Sequence, residues 1–226
     1  MKRYIRMDDG IVLGALPADR AILRFDVERD LPHHVAVARH LAKLGIPASM
    51  YVHTRRNCFM PDHLRAIADQ GHEIGYHHEC LDRCSGDFRQ ARDLFLREVE
   101  LFAKAGFPLR TVCAHGEAGL PRRGYRSNGD LLLKFPGLLK EAGVVAEVYE
   151  WRDHQQLLYA SDTFRSYNHF FPTLEMVGTQ SLPIMILVHV HRWRSNPFRI
   201  GLEAARDVYQ NAANRLLKRR RYQLAY

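Results

Sequence analysis

Several features are missing from this chain of 226 residues, and each absence closes off a class of protein. No apolar stretch reaches the roughly 20 residues that a membrane-spanning helix needs. The densest run, Ile184 to Val190, is strand-sized, so membrane insertion is not expected. The opening residues, Met1-Lys-Arg-Tyr-Ile-Arg-Met-Asp-Asp, lack the apolar core of a signal peptide. Cysteine is scarce: Cys58, Cys80, Cys84 and Cys113 are the four present, with no CxxC spacing. Reduced thiols in a cytoplasmic protein are therefore expected, rather than a disulfide framework. There is no internal repeat and no low-complexity segment, and composition does not shift along the chain. One domain spanning residues 1–226 is expected.

What is present in excess is positive charge, a formal +8. The segment Lys218-Arg-Arg-Arg221 supplies half of it. A nucleic-acid binder interleaves aromatic and basic residues along a stripe. This tail does not, and it reads as the last turn of a helix, where cations favour the dipole. Nucleic acid is not expected as a partner. The arginines near 122–126 and 192–194 differ, because they lie beside polar strand ends. They could meet an anionic substrate such as a phosphorylated or nucleotide-linked sugar. Nothing in the sequence points to a particular oligomer.

Strand and helix patterns alternate from end to end. Ala21–Glu28, Pro47–Thr54, His72–His77, Arg110–His115, Val144–Tyr149, Leu158–Thr163 and Ile184–Val190 read as strands. Pro32–Leu44, Asp62–Gln70, Asp87–Ala105, Leu131–Ala142 with a bend at Pro136-Gly137, Thr173–Thr179 and about Gly201–Leu217 read as helices. The longest shows an apolar stripe of Phe88, Ala91, Phe95, Val99 and Phe102. A polar loop covers about 116–130. About seven such units argue for an α/β fold with a parallel sheet, closed into a barrel or nearly so.

In parallel βα folds, function collects at the C-terminal ends of strands. Asp26 and Glu28, two residues apart, share one strand face. They repel unless a cation or a proton settles the charge. Metal-assisted hydrolases hold one acid on the ion and keep the other as a base. The alternative is that one acid caps the next helix, or that both are solvated. His53, His77, His78, His115, Asp162, His189 and His191 also fall at strand ends, which argues for a shared site. Only one of His77 and His78 can face the barrel centre. His72 reads as a structural hydrogen-bonding residue. His33, His34, His40 and His63 read as helix-surface residues, and Cys80 and Cys84 as core or loop thiols.

Certain segments resemble the polysaccharide deacetylase (NodB-homology) superfamily, carbohydrate esterase family four in the broad sense. They are Leu23-Arg-Phe-Asp26, Gly45-Ile-Pro-Ala-Ser-Met-Tyr-Val52, Gly71-His-Glu-Ile-Gly-Tyr-His77 and Ile186-Leu-Val-His189. A closer resemblance is to a divergent branch from lipopolysaccharide and surface-sugar biosynthesis. It is carried by Glu73-Ile-Gly-Tyr-His-His-Glu79, Cys113-Ala-His-Gly116, Asn128-Gly-Asp-Leu131, Ser161-Asp-Thr-Phe-Arg165 and His189-Val-His-Arg-Trp193.

The resemblance implies a distorted (β/α)7 barrel and a divalent metal, usually zinc, held by one acid and two histidines. It also implies a second acid as base and a late histidine as the acid for the leaving amine. Carried onto this chain, Asp26 matches the base and His189 the late acid. The family's adjacent metal-binding Asp is Val27 here, so Glu28 is expected to take its place. His77 matches the first metal histidine. The position four residues later is Leu81, and His115 is expected as the remaining ligand. Asn128, Asp162, Arg165 and Arg192 are expected around the substrate, with Asp162 orienting His189 or Arg165. The implied activity is metal-dependent removal of an acyl group from an N-acylated sugar or glycan in surface-polysaccharide synthesis. The alternatives are a catalytically degenerate sugar-binding member of the same fold, or another metal-dependent hydrolase such as a phosphoesterase.

Overall fold

The computed structural model describes residues 2–116, 124–163, 167–177 and 179–193, with a few positions between 201 and 209. The chain opens with β1 (Arg3–Ile5) and α1 (Met7–Leu13), then β2 (Arg20–Val27) and α2 (Leu31–Lys43). Next come β3 (Ser49–Val52), α3 (Pro61–Ala68), β4 (Glu73–His78) and the short α4 (Cys80–Arg83). The long α5 (Phe88–Lys104) leads to β5 (Thr111–Ala114), followed by α6 (Asp130–Lys134) and α7 (Leu138–Glu141). The last elements are β6 (Ala146–Glu147), α8 (Val148–Asp153), β7 (Leu158–Ser161), α9 (Tyr167–Met176) and β8 (Ile184–Val188), with a 3-10 turn at Val190–Arg192.

Every strand pairing is parallel, in the order β6-β5-β4-β3-β2-β8-β7. The path curls into a distorted (β/α)7 barrel of mixed α/β class. β1 and β3 share one edge of β2. β1 pairs its first half, Arg3 with Arg20 to Ile5 with Ile22, and β3 its second, Arg24 with Ser49 to Val27 with Val52. No helix among the described residues is long and apolar enough to cross a membrane.

Alternation along the strands divides the core in two. Phe25, Val27, Met50, Val52, Ile74 and Tyr76 pack outward against Val35, Ala38, Leu64, Ile67, Phe95 and Phe102 of the helices. α5 forms because Ala91, Phe95, Val99 and Phe102 recur at helical spacing on its buried face. Asp87 caps it by accepting from the amides of Arg89 and Gln90 at 2.9 and 3.0 Å. Gly106, at φ +84°, turns the chain out of it. The inward face is smaller and far more polar. Its apolar part is Ile22, Tyr51, Cys113 and Met185, packed with Met7 and Leu16 from the N-terminal segment.

Several sequence expectations shift. β1 and α1 were not foreseen, since three residues are too few to show a period. The expected strand Val144–Tyr149 pairs only at Ala146–Glu147 and then turns into α8. Glu147 causes the turn: its carboxylate accepts from Ala114 N on β5 at 3.0 Å and from Glu150 N at 2.8 Å, capping the helix. The bend expected at Pro136-Gly137 is a full break: α6 ends at Lys134 and α7 begins at Leu138, because Pro136 has no amide to donate. α9 begins at Tyr167, earlier than the expected Thr173, and carries Pro172 inside it. Most of the helix expected at Gly201–Leu217 lies outside the described residues. His34 is buried, not on the surface, because it lies with Leu31, Val35 and Ala38 on the inward stripe of α2.

Candidate active site

Each of four neighbouring strands sends every second residue into the barrel, building the site in layers. The lowest layer is a buried hydrogen-bonded set. Glu73 accepts from Ser49 Oγ at 2.6 Å, Thr111 Oγ1 at 2.5 Å and the amide of Asp8 at 3.1 Å. Burial, together with the charge of Asp8, pushes the Glu73 carboxyl up despite these donors.

In the next layer Asp26 lies opposite Tyr51, and Tyr51 opposite Gly75. Arg24 is fully buried and grips Asp26 with two prongs, Nε to Oδ1 at 2.9 Å and Nη2 to Oδ2 at 2.8 Å. Its guanidinium lies over the Tyr149 ring, 4.6 Å from the centroid, and donates to Tyr149 Oη at 3.1 Å.

Above them, donor atoms of Glu28, His53, His77 and His115 all lie within 4.8 Å of one another. The His77 Nδ1–H donates to the Cys113 carbonyl at 3.0 Å. A carbonyl can only accept, so the lone pair is on Nε2, 3.4 Å from Asp26 Oδ2. His115 places Nε2 3.4 Å from Glu28 Oε1 and Nδ1 3.9 Å from Asp82 Oδ2. His53 is fully buried, and neither ring nitrogen has a hydrogen-bond partner. Its ring centroid lies 4.7 Å from that of His77 and 5.1 Å from that of His115.

The electrostatics follow from this crowding. Burial, and the proximity of His115, pushes His77 well below the usual imidazole range. Burial and the charges of His77 and His115 do the same to His53. Burial opposes charge on His115 too, but Asp82 and Glu28 outweigh it and lift the group to about 9. Burial likewise pushes Glu28 up, but the hydrogen bond from His115 and the charge of His189 hold it well below the carboxylate range.

Three imidazoles and one carboxylate converging with unpartnered ring nitrogens fit a divalent cation. A second group, Asp26, His77 and Cys113, is also close enough to share an ion. It fits less well: burial pushes the Cys113 thiol well above its usual range, and its Sγ donates to the Ala114 carbonyl at 3.6 Å.

His189 enters from the end of β8. Asp162 Oδ1 lies 2.6 Å from its Nδ1, and Oδ2 accepts from its backbone amide at 2.9 Å and from Trp193 Nε1 at 2.7 Å. Burial raises Asp162, but these donors, His189 foremost, hold it below the usual carboxylate range. His189 Nε2 is left 3.8 Å from Glu28 Oε1 and 4.0 Å from Asp26 Oδ2. Both acids of the first long strand thus meet histidines from three other strands.

The structure gathers Asp26, Glu28, His77, His115 and His189. It places Asn128, Asp162 and Arg192 behind them, not at an open surface. Asn128 is fully buried; its Nδ2 donates to Asp82 Oδ2 at 2.8 Å and to the His115 carbonyl at 3.2 Å, and its Oδ1 accepts from Asp82 N at 3.1 Å. It fixes the loop and the carboxylate behind His115. Arg192 is buried too; its Nη1 donates to the Asp162 carbonyl at 2.9 Å and lies 2.8 Å from His189 Nδ1. Arg165 lies outside the described residues. His78 faces the helices, 5.3 Å from the ring of Phe95. Cys80, Cys84 and Leu81 belong to the outer apolar core. His72 is structural, with Nε2 bonded to the Ala38 carbonyl at 2.9 Å and Nδ1 accepting from Ala48 N at 3.1 Å. His53 was placed at the shared site by its strand-end position but was given no individual role. Counting in twos from Ser49 through Tyr51 would have put it on the inward face beside Glu28 and His77.

No family model matches the chain, and no curated protein matches it. Among solved structures, a family 4 carbohydrate esterase from Streptomyces lividans in complex with acetate is 17% identical, with a TM-score of 0.48, covering 86% of this chain and 88% of that one. A family 4 carbohydrate esterase from Bacillus anthracis is 18% identical, with a TM-score of 0.43, covering 85% and 75%. A peptidoglycan deacetylase from Bacillus subtilis is 17% identical, with a TM-score of 0.47, covering 75% and 73%. At identities this low, what the chain does is read from its own site residues.

Proposed function

We propose that the chain is a metal-dependent amide hydrolase that removes an acyl group, acetyl in the first instance, from an N-acylated sugar during surface-polysaccharide synthesis. The observation that carries this reading is the convergence of Glu28, His77 and His115 beside Asp26, with His189 Nε2 within 4.0 Å of both acids. The motif resemblance supplies the substrate class, including the lipopolysaccharide setting. The run of arginines near 122–126 in the sequence suits an anionic or nucleotide-linked sugar. The cysteine usage suits a cytoplasmic site of action.

In this reading Glu28, His77 and His115 hold the ion, zinc by the chemistry of the donor set. When bound, it would polarise the acyl carbonyl and acidify the attacking water. Asp26 takes the proton of that water. Arg24 fixes the plane of the Asp26 carboxylate from below through its two hydrogen bonds. His189 Nε2 delivers a proton to the departing nitrogen. Asp162 Oδ1 and Arg192 Nη1 both reach His189 Nδ1, at 2.6 and 2.8 Å, and orient the ring.

Asp26→Asn and Glu28→Ala test the reading by metal content and by turnover of an N-acetylated sugar. Asp26→Asn is expected to keep its metal and to lose turnover by about 10²- to 10⁴-fold. Glu28→Ala is expected to lose the metal. Full activity in Asp26→Asn refutes the role of the base. A wild-type protein that takes up no metal and gains no thermal stability from zinc refutes the hydrolase and leaves a sugar-binding module.

A further inference from the structure

The geometry points to His53 as a fourth protein ligand, which makes the metal centre one glutamate and three histidines. This inference rests on the metal-dependent reading above and adds a residue to it; with four protein donors the attacking water would be a fifth, an expansion that catalytic zinc sites allow.

Burial is the first reason. His53 is fully enclosed, yet Nδ1 and Nε2 both go without a hydrogen-bond partner. Leaving a buried polar group unsatisfied costs about 1–3 kcal/mol, and a hydrophobic residue at the end of β3 would avoid that cost. Burial alone does not single out His53, since His78 and His191 are also buried with unpartnered ring nitrogens; His53 differs in where its ring lies.

Placement is the second reason. β3 lies between β2 and β4, the strands that deliver Glu28 and His77. The inward column of β3, Ser49 and Tyr51, continues to His53, just as Glu73 and Gly75 continue to His77. Its donor atom falls within 4.8 Å of those of Glu28, His77 and His115.

The third reason is what stands behind the ring. His53 Nδ1 lies 3.9 Å from Glu79 Oε2, and Glu79 is itself held by Arg55. A proton on Nδ1, facing that carboxylate, leaves Nε2 with its lone pair. A carboxylate behind a histidine is the usual outer support of a metal ligand. His115 has the same arrangement with Asp82, and His77 with the Cys113 carbonyl. No competing ligand comes from α4, where Leu81 is buried in the outer core. Three supported imidazoles and one carboxylate suit zinc or another first-row divalent ion.

The experiment uses the purified full chain as wild type, His53→Leu, His53→Cys and Glu79→Gln, with zinc or cobalt(II) alone as the probe. Chelator competition gives Kd, and thermal unfolding of the metal-free forms reports folding. His53→Leu is expected to raise the zinc Kd by more than about 100-fold, beyond the 10- to 100-fold an outer support such as Glu79 costs. Its metal-free Tm is expected to stay level or rise, because the unsatisfied ring is gone. His53→Cys loaded with cobalt is expected to show a sulfur-to-cobalt charge-transfer band that wild type lacks. That band appears only if residue 53 touches the ion, so it decides the matter even if His53→Leu fails to fold. A wild-type Kd in His53→Leu, or a His53→Cys spectrum without the band, overturns the fourth ligand while the three-ligand site stands. Failure of wild type to bind either ion overturns both.

Discussion

Arg24 and Asp26, two residues apart on the inward face of β2, form a buried ion pair through two parallel hydrogen bonds of 2.9 and 2.8 Å. The cation sits beneath the site and its anion faces up into it. Removing the anion leaves the guanidinium buried without its carboxylate, which typically costs about 3–5 kcal/mol. Asp26→Asn is therefore expected to lose stability by about that amount in urea unfolding. Arg24→Met combined with Asp26→Asn is expected to recover most of it, because the stranded charge is then removed as well. A double variant no more stable than the single one would mean that the pair is not what places this cost on the fold. Turnover of Asp26→Asn should accordingly be measured where the variant is fully folded.

Gly75 is required by Tyr51. A Cβ at position 75 would lie 2.4 Å from Tyr51 Cε1 and 2.6 Å from Cδ1. The ring is fixed from its other end, with its hydroxyl 2.7 Å from Thr111 Oγ1. Gly75→Ala is expected to destabilise the protein by about 1–3 kcal/mol through overpacking. Adding Tyr51→Val, which vacates the space, is expected to reduce the penalty of the alanine. Equal penalties in the two backgrounds, measured by denaturant unfolding, would place the strain elsewhere.

The strand ends were readable because period-two alternation and the run of acids and histidines point the same way. Asp26, Glu28, His77, His115 and His189 follow from that pattern and from the motifs. The support behind them was not readable. Asp162 is 27 residues from His189, and Asn128 is 46 from Asp82. Such hydrogen bonds leave no local periodicity, so Asn128 looked like a substrate contact, and Asp162 was placed behind His189 or Arg165 without a choice between them. His53 was visible at its strand end, but the motif directed attention to position 81, which α4 turns into the apolar core. His34 shows the converse error. Its polarity suggested a surface, although its spacing from Leu31, Val35 and Ala38 is that of the buried stripe.

His34 also predicts how stability responds to acid. Its Nδ1 donates to the Asp30 carbonyl at 3.1 Å, while Nε2 is buried without a partner. Burial lowers the group to about 4 from its ordinary 6.5. The unfolded chain then binds this proton more readily than the folded one. Stability is complete above pH 6.5 and declines as pH falls toward 4, by up to about 1.4 kcal/mol per pH unit. Between pH 7.5 and pH 5 the contribution is about 2 kcal/mol. His34→Asn places an amide nitrogen near the Nδ1 position and removes the titration. It is expected to lose about 2 kcal/mol less than wild type over this interval in urea unfolding. Parallel losses in both proteins would show that His34 does not carry the effect.

In the proposed reaction Asp162 acts through His189, and its substitution separates position from charge. Oδ2 accepts from the His189 amide and from Trp193 Nε1, while Oδ1 faces His189 Nδ1 at 2.6 Å. In Asp162→Asn the remaining oxygen can keep the first two bonds, and the amide nitrogen then faces Nδ1. That replaces the carboxylate acceptor at Nδ1 with a donor, beside Arg192 Nη1 at 2.8 Å, and removes the negative charge next to the ring. The expected result is a fall in kcat of about 10²- to 10⁴-fold with KM little changed. Trp193 emission should stay near wild type in Asp162→Asn, because its indole bond survives, and shift in Asp162→Ala, where it does not. If Asp162→Asn turns over within about threefold of wild type, Asp162 does no more than anchor the turn after β8, and the proton supplied to the leaving nitrogen must come from another group.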